Sequence, residues 1–184
     1  MGRRGVAQAR EGKSHFLSEA AQGQFHYVYG PYATPVMTIA PGDVVAVETL
    51  DAFGGAVKTE ADLPSKVLNM PFVNPQNGPI AVTGAKKGDV LAVHIKDLLP
   101  RGPQPAGTTA LIAERVKKME VTPDGVKFSD RITLPYEPFV GTMGVSPEIE
   151  AISSLVPDFY GGNMDLPDVA PGAVIYFPVQ RDEA

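Results

Sequence analysis

Cysteine is absent from this chain, which excludes a disulfide framework, a thiolate metal site and a cysteine nucleophile. Histidine is scarce. His15, His26 and His94 stand at no metal-ligand spacing, and His94, between Val93 and Ile95, reads as a packed or surface strand residue. His26, in the aromatic stretch QFHYVYG, reads the same way. Also missing are the GxSxG elbow, the GK[ST] phosphate loop, the GxGxxG fingerprint and HExxH, and Ser146, Ser153 and Ser154 have no glycine elbow around them. No apolar run approaches the roughly 18 residues of a membrane helix. The opening MGRRGVAQAREGKSHF has basic residues but no apolar segment behind them, so it lacks the core of a secretory signal and is expected to be a solvated tail. These absences predict a soluble, cytoplasmic protein. Sixteen basic residues against twenty-one acidic ones give a formal charge of −5, with the lysines and arginines scattered, which argues against a nucleic-acid partner.

What the chain has in abundance is glycine and proline, nineteen and eighteen of its 184 residues, interleaved with Val and Ile as in many short strands with tight turns. A chain of this length makes one domain that buries roughly 70% of the surface of its unfolded form. Residues 31–184 are read as a β domain behind a lead-in of residues 1–30. Three segments resemble one another: VMTIAPGDVVAVETLDAF (36–53), IAVTGAKKGDVLAVHIKDLL (80–99) and LPDVAPGAVIYFPVQRDEA (166–184). Each sets a short apolar strand before a turn at Gly42, Gly88 or Gly172 and a longer strand after it, which is the pattern of a hairpin. Three similar hairpins or an internal duplication would each produce this recurrence. In the first copy a period of two puts Val45, Val47, Thr49 and Asp51 on one face and Val44, Ala46, Glu48 and Leu50 on the other. Both faces are largely apolar, so the middle of this strand is expected to be covered on both sides. Asp124 and Gly125 mark a further hairpin. Helix is scarce: TTALIAERVKKM (108–119), with Leu111, Arg115 and Met119 four apart, and EIEAISSLV (148–156) are short candidates. The fold class is therefore all-β, a sandwich or barrel of hairpins with one or two short helices.

With thiol chemistry closed and serine nucleophiles poorly supported, carboxylates, amides and imidazoles remain, and the carboxylates are better placed than the histidines. Glu48 and Asp51 lie in ETLDAFGG, where a strand meets the double glycine Gly54–Gly55, and Asp165 follows a second double glycine, Gly161–Gly162. Oxygen donors of this kind suit a divalent ion, and metal-bound water hydrolyses amides without a side-chain nucleophile. Taken singly, Asp51 and Asp165 read first as turn residues accepting local backbone hydrogen bonds.

The order of motifs adds more. PGD (41–43), ETLDAFGG (48–55), NPQNGPIAVTGAKKGDVLAVHIKD (74–97), PFVGTMGVSPE (138–148) and YGGNMD (160–165) together resemble the acetamidase/formamidase family, collinearly from about residue 35 onward. That resemblance implies a jelly-roll-like β-sandwich, commonly oligomeric, and a metal-assisted hydrolase of small linear amides such as formamide and acetamide, or of cyclic amides such as γ-lactams. It implies that Glu48 and Asp51 match the acidic pair of the first motif and that Asn163 and Asp165 match the GGNMD loop. On this basis Glu48, Asp51, Asn163 and Asp165 are the expected catalytic residues, with Asp51 and Asp165 as metal ligands. Glu48 is the candidate proton shuttle. The resemblance further places Asn74 in a turn beside the site, Gly141 to Gly144 along one wall, and Gly144, Gly161 and Gly162 at the substrate. Zinc is the expected metal, with calcium and magnesium as alternatives.

Two departures stand out. Position 56 is Ala where relatives often carry glutamine. The family also continues a segment like FPVQRDEA into a further strand and a Gly-Asp-x-His-Ala motif, whereas this sequence reads to Ala184. The expected partner is therefore the C-terminal half of the family fold, as a second chain or cleaved fragment, in an assembly that is also homo-oligomeric. The alternatives are a truncated member of the family and a non-catalytic β-sandwich module for binding or structure.

Overall fold

The computed structural model describes residues 12–99, 105–109, 114–122 and 124–183. Among them the chain is built from short strands and two single-turn helices, α1 (Glu19–Gln22) and α2 (Pro64–Val67). The lead-in contributes β1 (Ser14–Leu17) and β2 (Val28–Tyr29), followed by β3 (Met37–Ile39), β4 (Val44–Val47), β5 (Ile80–Val82) and β6 (Val90–His94). Strands β7 (Pro105–Thr109) and β8 (Glu114–Lys118) form a hairpin, and β9 (Glu120–Thr122), β10 (Gly125–Ser129) and β11 (Ile132–Leu134) a meander. The series ends with β12 (Thr142–Gly144), β13 (Ile152–Ser153), β14 (Gly161–Asn163) and β15 (Val174–Pro178). The all-β expectation holds.

The three similar segments share one local structure. In each, the N–H of residue 43, 89 or 173 donates to the carbonyl three residues earlier, at 3.0, 2.9 and 3.0 Å. The glycine before it sits at φ 91°, 91° and 94°. Glycine at the third position with positive φ, preceded by Pro41 or Pro171 in two copies, is the type II pattern. In the first two copies an aspartate locks the turn, Asp43 accepting from Ala40 N–H at 3.0 Å and Asp89 from Lys86 N–H at 2.9 Å.

None of the three is a hairpin. β3 pairs in parallel with β5, β4 in parallel with β1, and β6 antiparallel with β15. The turn chemistry explains the difference. Paired strands twist right-handed and accept type I′ or II′ turns, whereas a type II turn splays its flanking strands and sends each into a different sheet. Where Asp124 and Gly125 mark the turn between β9 and β10, adjacent strands do pair, with Thr122 opposite Gly125.

The expected helices fall elsewhere. Residues 114–118 are strand β8, with Val116 buried between exposed Arg115 and Lys117, so an alternating pattern and a partner strand override the helix formers. Leu111 lies outside the described residues. Within 148–156 the structure places β13, paired with β2, and a buried Ser154 whose hydroxyl donates to the Val73 carbonyl. The core that positions the site is Val145, Tyr160 and Phe177, with Tyr29, Leu91, Val93, Met143 and Ile175 packed against it.

Candidate active site

Two connecting loops and the β12–β14 pair carry the expected site residues. Thr142 and Asn163 are directly opposed across that pair, so their side chains share one face. The Asn163 Oδ1 accepts from the Thr142 hydroxyl at 2.7 Å and from Asn74 Nδ2 at 3.1 Å. Two donors on one oxygen orient the amide and leave the Asn163 Nδ2 hydrogens for another acceptor. Asn74 is held in turn: its backbone sits at φ 56°, its N–H donates to the Ala52 carbonyl at 2.8 Å, and its carbonyl accepts from Gln76 Nε2 at 2.9 Å. Gln76 Oε1 accepts from the Tyr29 hydroxyl at 2.6 Å. A continuous hydrogen-bonded chain thus runs from the core to Asn163. Burial, reinforced by Tyr160, raises Tyr29 well above the ordinary tyrosine value, so its hydroxyl stays protonated and a donor.

The glycines make this approach of strands fit. Gly161 and Gly162 are buried in β14 at φ 103° and 89°. A Cβ on Gly161 would lie 2.4 Å from the Met143 carbonyl oxygen, and one on Gly144 would lie 2.6 Å from that of Tyr160. Gly141 allows the same closeness to a carboxylate, since a Cβ there would stand 2.8 Å from Asp165 Oδ1. Asp165 itself is exposed, at φ 47°, with its N–H donating to the Gly141 carbonyl at 2.9 Å.

Asp51 is engaged locally. Its Oδ1 accepts from Phe53 N–H at 2.8 Å, its Oδ2 from Gly55 N–H at 3.2 Å, and its carbonyl from Gly54 N–H at 2.8 Å. The double glycine therefore turns around the carboxylate, which takes up the N–H groups an oxyanion would need. The same loop reaches Asn74 through Ala52, so Asp51 adjoins the amide cluster along the backbone. Glu48 is engaged with another element. β4 ends at Val47, so strand alternation does not govern Glu48 or Asp51, and Glu48 Oε2 accepts from the Glu19 N–H of α1 at 2.9 Å. Its carbonyl accepts from Asn77 Nδ2 at 3.0 Å. Glu48 and Glu19 line an open depression of about 410 Å³ with Ala20, Gly23 and Phe25, which none of Asn74, Thr142 or Asn163 lines.

Asn74, Asn163, Asp165 and the glycines thus gather at β12–β14, Asp51 borders them, and Glu48 stands apart. Among the described residues no three His, Asp or Glu side chains form a metal-ligand set, so Asp51 and Asp165 supply at most part of one. Thr142 was not singled out by sequence reasoning. Its signal was its place in GTMG, the segment already assigned to the wall of the site.

The chain has relatives among known proteins. The chain is similar to an acetamidase from Yersinia enterocolitica, at 47% identity and a TM-score of 0.92, covering 98% of this chain and 61% of that one. A formamidase of Methylophilus methylotrophus is 31% identical over 77 residues, 41% of this chain and 19% of that protein. A γ-lactamase from Delftia acidovorans shares the fold, at a TM-score of 0.80 and 17% identity, over 92% of this chain and 59% of that one. The chain therefore spans about three-fifths of its solved relatives. The acetamidase/formamidase family model matches residues 14–155, and the chain belongs to that family.

Proposed function

We propose that this chain is the part of a small-amide hydrolase that holds the scissile amide, in a site completed by the rest of the family fold. The observation that carries this is the Asn163 amide, fixed by Thr142 and Asn74, whose two Nδ2 hydrogens meet no acceptor among the described residues. A carbonyl oxygen placed against those hydrogens gains negative charge as water adds. A donor already oriented for that charge contributes on the order of 3 kcal/mol. The relatives named formamidase and acetamidase support small linear amides as substrates, and the γ-lactamase supports the fold alone.

The oxygen donors of Asp51 and Asp165 suit a divalent cation, zinc or else calcium or magnesium, provided that further ligands come from the remaining segment. When bound, such a cation supplies a polarising charge and an acidified water. The chain's own contribution is to keep Asn163 oriented, to set Asp165 against Gly141, and to close the Asp51 turn beside Asn74. Glu48, tied to α1, is better suited to bracing that helix than to carrying protons.

The test is ammonia release from formamide and acetamide, and ring opening of a γ-lactam, by the chain together with the completing segment. Turnover that chelator abolishes, and that Asn163→Ala slows by about 100-fold in kcat, is the expected result. No turnover with the segment bound would sink the hydrolase reading in favour of a binding module.

A further inference from the structure

The β6–β15 sheet is apolar on both faces. Leu91, Val93, Ile175 and Phe177 point into the core. The opposite face presents Val90, Ala92 and His94 beside Pro178, Tyr176 and Val174, all exposed, in the register Val90↔Pro178, Ala92↔Tyr176 and His94↔Val174. Tyr176 and Val90 are 68% and 65% exposed. An antiparallel sheet with one solvated face alternates apolar with polar residues, whereas this one carries neither an acid nor a lysine or arginine on either face. That is the composition of a sheet covered on both sides. Among the described residues β6 and β15 pair only with each other, so their outer edges also offer unpaired backbone groups.

We propose that this outer face is the docking surface for the remaining two-fifths of the acetamidase/formamidase fold, carried on the same polypeptide or another. Nearly all of this chain superposes on the Yersinia enterocolitica acetamidase, yet it accounts for only 61% of that protein. In a layered domain each apolar sheet face is covered by another layer. A face without acid, lysine or arginine, bounded by open strand edges, is the complement of such a layer, through face packing and strand addition. Tyr176 is its anchor: a large, central, exposed aromatic of the type that dominates interface energy. The inference rests on the completion of the site argued above, and it is read by association rather than turnover, so an inactive complex would leave it standing.

The experiment co-expresses the 184-residue chain with the unmatched portion of the Yersinia enterocolitica acetamidase and measures capture of that portion on the tagged chain. Tyr176→Lys and Val90→Lys should each lower capture by at least about tenfold with the circular dichroism of the chain unchanged. Thr133→Lys, exposed on β11, should not. Capture that survives both substitutions, or no capture by the unsubstituted chain, overturns the proposal. So does self-association that Tyr176→Lys abolishes without any capture, since the occupant is then a second copy.

Discussion

Asp51 shows how one carboxylate serves a turn before it serves any chemistry. Both of its oxygens accept N–H groups from the double-glycine loop, and the neighbouring Ala52 carbonyl holds Asn74. Removing the side chain leaves Phe53 and Gly55 N–H groups without acceptors in a half-buried loop, a loss of about 1–2 kcal/mol. Asp51→Ala should therefore lower the urea midpoint in metal-free buffer, measured by circular dichroism. An unchanged midpoint without metal, with destabilisation only in its presence, would show that the carboxylate acts through a cation instead. The amides are held differently. Asn163 and Asn74 were legible from their motifs, but their mutual contact spans 89 positions and joins a loop to strand β14, an approach that depends on the whole fold. The third member, Thr142, lies in the GTMG wall segment, but its role follows from the strand register that sets it opposite Asn163.

At the level of elements, the turns were readable and their partners were not. Positive-φ glycines at 42, 88 and 172 follow from local stereochemistry, and all three copies obey it. The choice of β5 over β4 as the partner of β3 is made by tertiary packing, which no local pattern encodes. The same holds for Arg115–Lys118, whose helix formers yield to a neighbouring strand. Asp43 joins two such elements. It accepts from Ala40 within its turn, and from His15 and the Lys13 N–H at β1, so it pins the parallel β1–β4 pair. Those bonds, the Ala40 N–H foremost, pull its carboxyl from the ordinary 3.8 down to about 2. A depressed folded value means that the stabilisation is complete above about pH 4 and disappears as pH falls toward 2. Urea midpoints of the unsubstituted chain and Asp43→Asn should differ at pH 6 and converge between pH 4 and 2. A gap that stays constant across that window would show that the carboxylate charge does not stabilise this junction.

Across the whole molecule, the described residues include twelve buried hydrophobics and twenty-two large hydrophobics that remain exposed, so most of the apolar investment lies outside the Val145–Tyr160–Phe177 core. The β1–β4 sheet also leaves apolar side chains in water: Leu17 is buried, but Val47 opposite it is exposed, as are Phe16, Val44 and Ala46 on the other face. Apolar strand faces left in water do not contribute the roughly 25 cal/mol per Å² that burial would supply, so covering them would add stability. The two apolar faces of the strand around Val45 predict cover on both sides, but among the described residues that cover is missing: Val44, Ala46 and Val47 are exposed and Val45 is half-buried. The 184-residue chain alone should therefore bind a hydrophobic dye under native conditions. Adding the completing segment should displace the dye and raise the melting temperature in a concentration-dependent way, because a ligand that binds only the folded state stabilises it by mass action. A chain that binds no dye as a monomer would show that these faces are tolerated in water. A chain that loses dye only as it self-associates would show that copies of itself, in the homo-oligomer expected of the family, provide the cover.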